Sequence, residues 1–157
     1  MNDKFFNEIR LGNSEEVALI LNDNPELVNV VDKRGSTPLI LATYYGHIKT
    51  AELLVNSGAK IDAIDDSGNT ALMGVCFKGF TAIAKMLIDK GANVNERNSM
   101  GGTCLIYAAT FNRPEIAKLL LEHGADTTVK DARGNTALAH AENQGTPELI
   151  SLLSAAN

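Results

Sequence analysis

The residue types that most often perform chemistry are few in this chain and widely spaced. The histidines are His47, His123 and His140, and no HExxH or CxxC motif occurs. A metal site needs several His, Cys or carboxylate ligands that converge, so the sequence predicts none. The segment from His140 to Glu142 has the H-x-E spacing of zinc deaminases, but the P-C-x-x-C that completes such a site is missing. GxSxG, Walker A and GxGxxG motifs are also absent, so we predict no catalytic residues and no cofactor.

The two cysteines, Cys76 and Cys104, are too few for a disulfide framework and too far apart for a zinc motif. They fall at different helical phases of neighbouring helices. We therefore interpret them as small buried or half-buried apolar residues rather than as a reactive pair. This usage favours a reducing compartment.

The composition predicts one acidic globular domain. The 157 residues include 19 acidic and 14 basic side chains, for a formal net charge of −5, and the pI is about 5.1. This charge is opposite to that of a phosphate-binding surface, so nucleic acid is disfavoured as a partner. No apolar run reaches the roughly 18 to 20 residues of a membrane span, and the amino terminus lacks the apolar stretch of a signal peptide. We expect a cytoplasmic location without membrane contact.

Glycines divide the chain into units of 33 residues. The first set, spaced by 33 residues throughout, is Gly35, Gly68, Gly101 and Gly134. Two further sets keep the same spacing: Gly46, Gly79, Asn112 and Gly145, and then Gly58, Gly91 and Gly124. A fixed period of this length is the signature of stacked structural repeats.

Each unit is predicted to contain two short helices joined by a tight turn. A threonine soon after the first glycine is placed to cap the first helix, at Thr37, Thr70, Thr103 and Thr136. Apolar residues at helical spacing follow, and the second glycine set supplies residues that accept a positive φ where the helix ends. A second amphipathic helix and an extended turn rich in Asp and Asn complete the unit. One such pair cannot bury both of its apolar faces, so the units must stack.

The period, the sequence TPLILA at Thr37 to Ala42, the pair Gly46-His47 and the GAK, GAN and GAD triplets resemble the ankyrin repeat, whose signature is T-P-L-H-x-A. The resemblance implies an all-α solenoid of antiparallel helix pairs with hairpin-like loops, as a single domain over residues 1–157. We place an amino-terminal cap at 1–31, full repeats at 32–64, 65–97 and 98–130, and a carboxy-terminal cap repeat at 131–157. The cap contains one extra residue, which we expect in a loop within 22–29.

The chain departs from the signature at its histidine, which is replaced by Ile40, Met73, Ile106 and Ala139. We expect these side chains to make apolar contacts instead. The signature proline is replaced in three repeats, by Ala71, Cys104 and Ala137, which removes preorganisation without preventing the helix.

In the ankyrin family, partner proteins bind the concave surface made by the first helices and the hairpin tips. The resemblance therefore implies two groups of contact residues. The loop group is Lys33, Arg34, Ser36, Asp66, Ser67, Asn69, Ser99, Met100, Gly102, Ala132, Arg133 and Asn135. The helix-end group is Tyr44, Tyr45, Phe77, Lys78, Thr110, Phe111, Asn143 and Gln144.

Half of the eight aromatic residues fall in the helix-end group, at Tyr44, Tyr45, Phe77 and Phe111. Aromatic rings dominate interface hot spots, so our hypothesis is that they line a protein-binding groove. The alternative is that they merely cover the helix ends and pack on adjacent hairpins. The other aromatics are assigned to the core or the cap, at Phe5, Phe6 and Tyr107, whereas Phe80 is expected either between repeats or against the outer helices.

The sequence thus predicts a non-enzymatic protein–protein interaction module that binds another protein in this groove. Two alternatives use the same groove: a regulatory or inhibitory subunit of a partner enzyme, and a homo-oligomer, although we expect a monomer. Basic residues outnumber Asp66 at the predicted site, which favours an acidic or amphipathic peptide as the ligand. A catalyst or small-ligand protein would need a deep pocket with convergent titratable groups, of which the sequence gives no sign.

Overall fold

The computed structural model of the chain describes residues 2–144 and 146–156. Within these ranges every regular element is helical, which confirms the predicted fold class. The α-helices are α1 (Asn2–Leu11), α2 (Ser14–Asp23), α3 (Pro38–Tyr44), α4 (Ile48–Asn56), α5 (Ala71–Lys78), α6 (Thr81–Asp89), α7 (Cys104–Thr110), α8 (Pro114–Glu122), α9 (Ala137–Gln144) and α10 (Pro147–Ala156). We call the odd-numbered helices inner and the even-numbered helices outer.

Threonine caps begin four of the inner helices, as predicted. The backbone N–H of Ile40 donates to Thr37 Oγ1 at 3.1 Å. The equivalent bonds in α5, α7 and α9 are 3.3, 3.2 and 3.2 Å long and end on Thr70, Thr103 and Thr136. Each bond satisfies one of the amides that lack a partner in the first helical turn.

Residues with a left-handed backbone follow four of the inner helices: Gly12 after α1, with φ +72°, and the residues at three of the four predicted positions. The φ angle is +81° at Gly46, +83° at Gly79 and +56° at Asn112. Asn112 is the one non-glycine residue with a positive φ in the described part of the chain, and Asn is among the side chains that tolerate this conformation best. The fourth predicted position, Gly145, lies outside the described residues.

The helices form two parallel rows that share one core. Each inner helix packs against the next inner helix and against the outer helix that follows it, and neighbouring outer helices also touch. The inner faces meet at residues without exposed surface, namely Ala42, Val75, Ala108 and Ala141. At the substituted signature histidine, Met73 and Ile106 are buried and Ile40 packs against the core, as expected. Stability therefore depends on contacts between neighbouring repeats.

The cap differs from our expectation in one segment. A short 3₁₀-helix, Pro25–Asn29, follows α2 where we predicted a loop. Pro25 stands at its first position, and Leu27 and Val28 are buried. The segment with the extra residue is thus packed on the core. Burial of its two apolar side chains stabilises the fold, and a solvated loop would leave them exposed to water.

Four loops share the same turn and are joined to one another by backbone hydrogen bonds. In each, the N–H of an Asp or Asn donates to the carbonyl four residues later, at Asp32, Asp65, Asn98 and Asp131. Between loops, Asp66 N donates to Arg34 O at 3.1 Å, Ser99 N to Ser67 O at 3.0 Å, and Ala132 N to Met100 O at 2.9 Å. Each loop is therefore displaced in the same way from the loop of the preceding repeat. Their approach is close enough that a Cβ added at Gly68 would lie 2.9 Å from Ser99 N.

Cys76 on α5 and Cys104 on α7 are both buried and free of disulfide bonds. Their helical phases argued against a reactive pair, but the two thiols interact because α5 and α7 pack side by side. The interaction with the Cys104 thiol, together with burial, raises the pKa of Cys76. The pair is a neutral part of the core, in agreement with the apolar role that we predicted.

Replacing Thr103 with Ala removes the cap of α7 and is expected to lower the free energy of unfolding by about 1 kcal/mol. Thr103→Ser keeps the hydroxyl and is expected to retain most of that stability. Urea denaturation followed by helical circular dichroism measures both effects. Equal stability of the Ala variant and the wild type would contradict the capping role.

Candidate protein-binding groove

Four aromatic side chains are exposed at the ends of the inner helices, where the sequence predicted them. Tyr44 and Phe77 lie in the last turns of α3 and α5, and Tyr45 and Phe111 are the residues at which α3 and α7 end. Their exposed fractions run from 36% for Phe77 to 49% for Tyr45. Such exposure is unusual for large apolar rings in three consecutive repeats and indicates a surface available for contact.

The rings form one continuous row. Ring centroids are 5.8 Å apart for Tyr45 and Tyr44, 6.4 Å for Tyr44 and Phe77, and 4.6 Å for Phe77 and Phe111. Tyr107 extends the row, with its centroid 6.1 Å from that of Phe111. We call these five residues the aromatic row. Because the rings pack on one another, they are held in place while one part of each ring remains in contact with solvent.

Tyr107 packs against the core, as assigned, but it is half-buried and its hydroxyl reaches the loops. Its hydroxyl accepts a hydrogen bond from Asn98 Nδ2 at 2.9 Å and donates to Asn69 Oδ1 at 3.3 Å. A buried phenol needs such partners, and these lie in the loops rather than in the core. Burial raises the pKa of Tyr107; the Asn98 hydrogen bond opposes this shift and the nearby charge of Asp65 adds to it.

The structure agrees with the predicted positions of Phe5 and Phe6 and decides between the two positions that we considered for Phe80. Phe5 and Phe6 are buried in the cap. Phe80 lies between repeats, because its ring would be 3.2 Å from a Cβ added at Gly46 in the preceding repeat. Lys78 Nζ lies 5.0 Å from the centroid of Tyr44 and 5.9 Å from that of Phe80, within the range of cation–π attraction.

The structure divides the predicted loop residues into exposed and structural ones. Exposed residues that remain available for contact are Lys33, Arg34, Asp66, Ser67, Ser99, Met100, Ala132 and Arg133. Ser36 and Gly102 are buried and so are not surface residues, because they lie where each loop joins its capped helix. Asn69 and Asn135 are half-buried, and Asn69 Oδ1 accepts from Asn98 Nδ2 at 2.8 Å. Asn69 therefore positions the loops.

The helix-end residues without aromatic rings differ from one another in burial. Thr110 is half-buried, and its hydroxyl donates to the Ile106 carbonyl at 2.7 Å within α7. Asn143 and Gln144 are exposed at the end of α9. The apolar character of the surface therefore ends before the last repeat.

The cap contributes to the groove, which the sequence did not lead us to expect. A groove of about 1380 Å³ is lined by α1, α3 and the first two loops, including Phe6, Arg10, Arg34, Tyr44 and Asp66. The sequence did contain evidence for this contribution. Gly12 in the cap corresponds to Gly46 in the first full repeat, so Arg10 occupies the position of the groove residue Tyr44. We assigned contact residues only to the repeats and so did not include Arg10.

The charged side chains of the loops differ from repeat to repeat, and only some of them are paired. Asp32 Oδ2 lies 3.9 Å from Arg10 Nη2, and Asp131 Oδ2 accepts from His140 Nε2 at 2.7 Å. Asp65 and Asp66, in contrast, form no ion pair with any described residue. Our expectation of a weakly positive field counted Asp66 alone. With Asp65 added, the loop of repeat 65–97 is acidic, and basic residues occupy the loops of repeats 32–64 and 131–157.

The histidines have structural partners. His47 Nε2 donates to the Arg10 carbonyl at 2.7 Å, and His123 Nδ1 donates to the Leu119 carbonyl at 2.9 Å. His140 Nε2 donates to Asp131 Oδ2 at 2.7 Å. Across residues 2–144 and 146–156, His, Cys, Asp and Glu side chains form no cluster that could hold a metal ion.

The family model for ankyrin repeats (3 copies) matches residues 8–65 and 58–131, which is most of the chain. The chain belongs to the ankyrin repeat family. A mouse relative, ankyrin repeat and SAM domain-containing protein 6, is 39% identical over 54 residues, which cover 34% of this chain and 6% of that protein. The match therefore spans a small part of that relative.

Membership in this family indicates a protein–protein interaction module, because ankyrin repeats generally mediate binding to other proteins and are generally non-enzymatic. None of the described helices has the length and apolar character needed to cross a bilayer.

The paired loop carboxylate of the last repeat leads to a pH prediction. Burial opposes ionisation of Asp131, but the hydrogen bonds from His140 and from the amides of Asn135 and Arg133 hold its pKa below the ordinary value. A depressed folded-state pKa stabilises the fold above the unfolded pKa of about 4, and this contribution is lost as the pH falls through the folded value. Asp131→Asn should therefore be less stable than the wild type near neutral pH, with a smaller difference in strong acid.

Urea denaturation of the wild type and Asp131→Asn at about pH 6 and about pH 3 measures this change. Asn98 occupies the same position in the preceding repeat, so Asn is compatible with the turn. A stability difference that is identical at both pH values would refute the assignment.

Proposed function

We propose that this chain is a non-enzymatic module that binds a partner protein in the groove between its inner helices and its stacked loops. The observation that supports this most strongly is the aromatic row. Its rings lie within 6.4 Å of their neighbours, centroid to centroid, and four of the five are more than one third exposed. A connected apolar surface of this kind is typical of the centre of a protein interface.

The alternative for the rings was a purely structural role at the helix ends. Contacts between rings do provide part of their packing, and Arg113 Nη2 also fixes the end of α5 by donating to the Phe77 carbonyl at 2.9 Å. A structural role alone does not account for Tyr45, of which half is exposed, or for Met100, of which 63% is exposed on a neighbouring loop. Rigid, exposed rings provide contact area at a small cost in side-chain entropy.

The groove has the composition of a specific interface, with apolar anchors beside charged groups. A standard interface buries about 800 Å² on each partner, and aromatic anchors at its centre contribute most of the affinity. Lys33, Arg34 and Arg133 are exposed on the stacked loops and can supply polar contacts at the edge of such an interface. A regulatory subunit and a homo-oligomer would use the same surface, and the identity of the bound protein distinguishes them.

The combined variant Tyr45→Ala, Phe77→Ala, Phe111→Ala is expected to lose partner binding by more than about a hundredfold, because each ring is a candidate hot spot. The wild type and the variant are compared by affinity capture from native lysate, followed by measured affinity for the captured protein. Helical circular dichroism of the variant should remain close to that of the wild type.

The matched control is Leu19→Ala, which removes a side chain that is 63% exposed on outer helix α2. This variant is expected to bind as the wild type does. Unchanged capture by the triple variant would reject the groove. Light scattering of the purified chain tests the remaining alternative, because a stable oligomer that the triple variant disrupts would assign the row to self-association.

A further inference from the structure

One register position on the inner helices holds a different residue type in each repeat. It is occupied by Leu41, Gly74, Tyr107 and His140 in successive repeats. Two of these side chains reach back to the Asp or Asn that begins their own loop. Tyr107 bonds to Asn98 at 2.9 Å, and His140 to Asp131 at 2.7 Å. A side chain at this position therefore faces the loop residue nine positions earlier.

In repeat 32–64 the loop carboxylate finds a different partner. Leu41 cannot form a hydrogen bond, but Arg10 from the cap approaches Asp32 to 3.9 Å. Three of the four loops thus have a polar group beside the side chain of their first residue. This partner comes from the same repeat in two of them and from the cap in the third.

Repeat 65–97 is the exception. Asp65 Oδ1 accepts the N–H groups of Ser67 and Asn69, each at 2.9 Å, whereas Oδ2 has no partner among the described residues. Gly74 stands where Tyr107 and His140 supply that partner elsewhere. The half-buried Asp65 therefore faces a space that a side chain fills in the two following repeats.

Aromatic rings border this space. A Cβ added at Gly74 would lie 3.5 Å from the Tyr44 ring, and the ring of Phe77, one turn further along α5, is parallel to that of Tyr44 within 10°. We call the space bounded by Gly74, Asp65, Tyr44 and Phe77 the Gly74 notch. Glycine in the middle of a helix costs roughly 1 kcal/mol relative to alanine, so the opening is maintained at the expense of stability.

A carboxylate beside rings is a favourable environment for a cation. Lys78 Nζ lies 5.0 Å from the Tyr44 centroid, so this ring attracts a basic side chain, and an incoming cation must share the ring with Lys78 or displace it. Asp66 adds a second exposed carboxylate to the same loop. A guanidinium can interact with the carboxylate and with the rings at the same time, because its planar face stacks on rings while its edge donates hydrogen bonds to a carboxylate.

We propose that the Gly74 notch receives a basic side chain of the bound partner, an arginine in preference to a lysine, which pairs with Asp65 and packs against Tyr44 and Phe77. This inference rests on the proposed function and specifies the partner: a segment with apolar residues for the aromatic row and one basic residue for the notch. It reverses our sequence-based preference for an acidic ligand at the middle of the groove.

Residues at equivalent positions of other repeats suggest substitutions that the fold should tolerate. Asp65→Asn removes the charge but keeps the acceptor of the turn, as Asn98 does in repeat 98–130. Gly74→His fills the notch and offers Asp65 the partner that His140 offers Asp131. At 3.5 Å from Tyr44, the new Cβ makes an ordinary contact, so we expect this variant to fold. Glu52→Gln is the matched control, because it removes the same charge from an exposed side chain on outer helix α4, away from the groove.

The experiment selects binders to the wild-type chain from random peptides displayed on phage. The selected peptides are expected to share one Arg or Lys beside apolar residues. A synthetic copy should bind Asp65→Asn and Gly74→His at least about tenfold more weakly than the wild type, and Glu52→Gln within about twofold. Replacing the basic residue of the peptide by Gln should weaken binding to the wild type but not to Asp65→Asn.

Selection of acidic or purely apolar peptides, no enrichment at all, or unchanged binding to Asp65→Asn would overturn the notch. The triple-alanine variant distinguishes this failure from failure of the groove. A peptide that loses binding to the triple variant but not to Asp65→Asn leaves the groove intact without the notch. A peptide that binds the triple variant as tightly as the wild type argues against the groove itself.

Discussion

One backbone hydrogen bond between each pair of neighbouring loops sets the geometry of this molecule. It recurs three times, at 2.9–3.1 Å, from the second residue of one turn to the third residue of the preceding one. The turn itself is closed by the same Asp or Asn side chain in each loop, and a threonine cap then begins the inner helix a few residues later. The inner helices α3, α5, α7 and α9 therefore start at the same offset from their neighbours, and residues 33 positions apart in the sequence become neighbours in space.

This constraint explains how short helices of seven to ten residues build a functional surface. A register position that faces inward becomes a row of small buried side chains, as at Ala42, Val75, Ala108 and Ala141. A position that faces the groove becomes a row of exposed ones. Because nothing but the neighbours limits an exposed position, its residues can vary from repeat to repeat. The aromatic row and the Gly74 notch are two such variations on an otherwise uniform frame.

The sequence predicted what depends on local rules. Threonine capping, the left-handed conformation of Asn112 and the exposure of Tyr44, Tyr45, Phe77 and Phe111 follow from position within one repeat. It failed where the result depends on the angle and distance between repeats. The contact of Cys76 with Cys104, the hydrogen bonds of Tyr107 to two loops, and the part that Arg10 plays in the groove all join residues of different units. Helical phase within a single unit contains no information about them.

The central claim is that the aromatic row is the contact surface for a partner protein. Hydroxyl-radical footprinting of the chain with and without its captured partner tests this most directly, because oxidation of a side chain reports its exposure to solvent. The account predicts that Tyr44, Tyr45, Phe77 and Phe111 become protected in the complex while Leu19 on the opposite face is oxidised as before. Protection of Leu19 and the outer helices, with unchanged oxidation of the four rings, would contradict it.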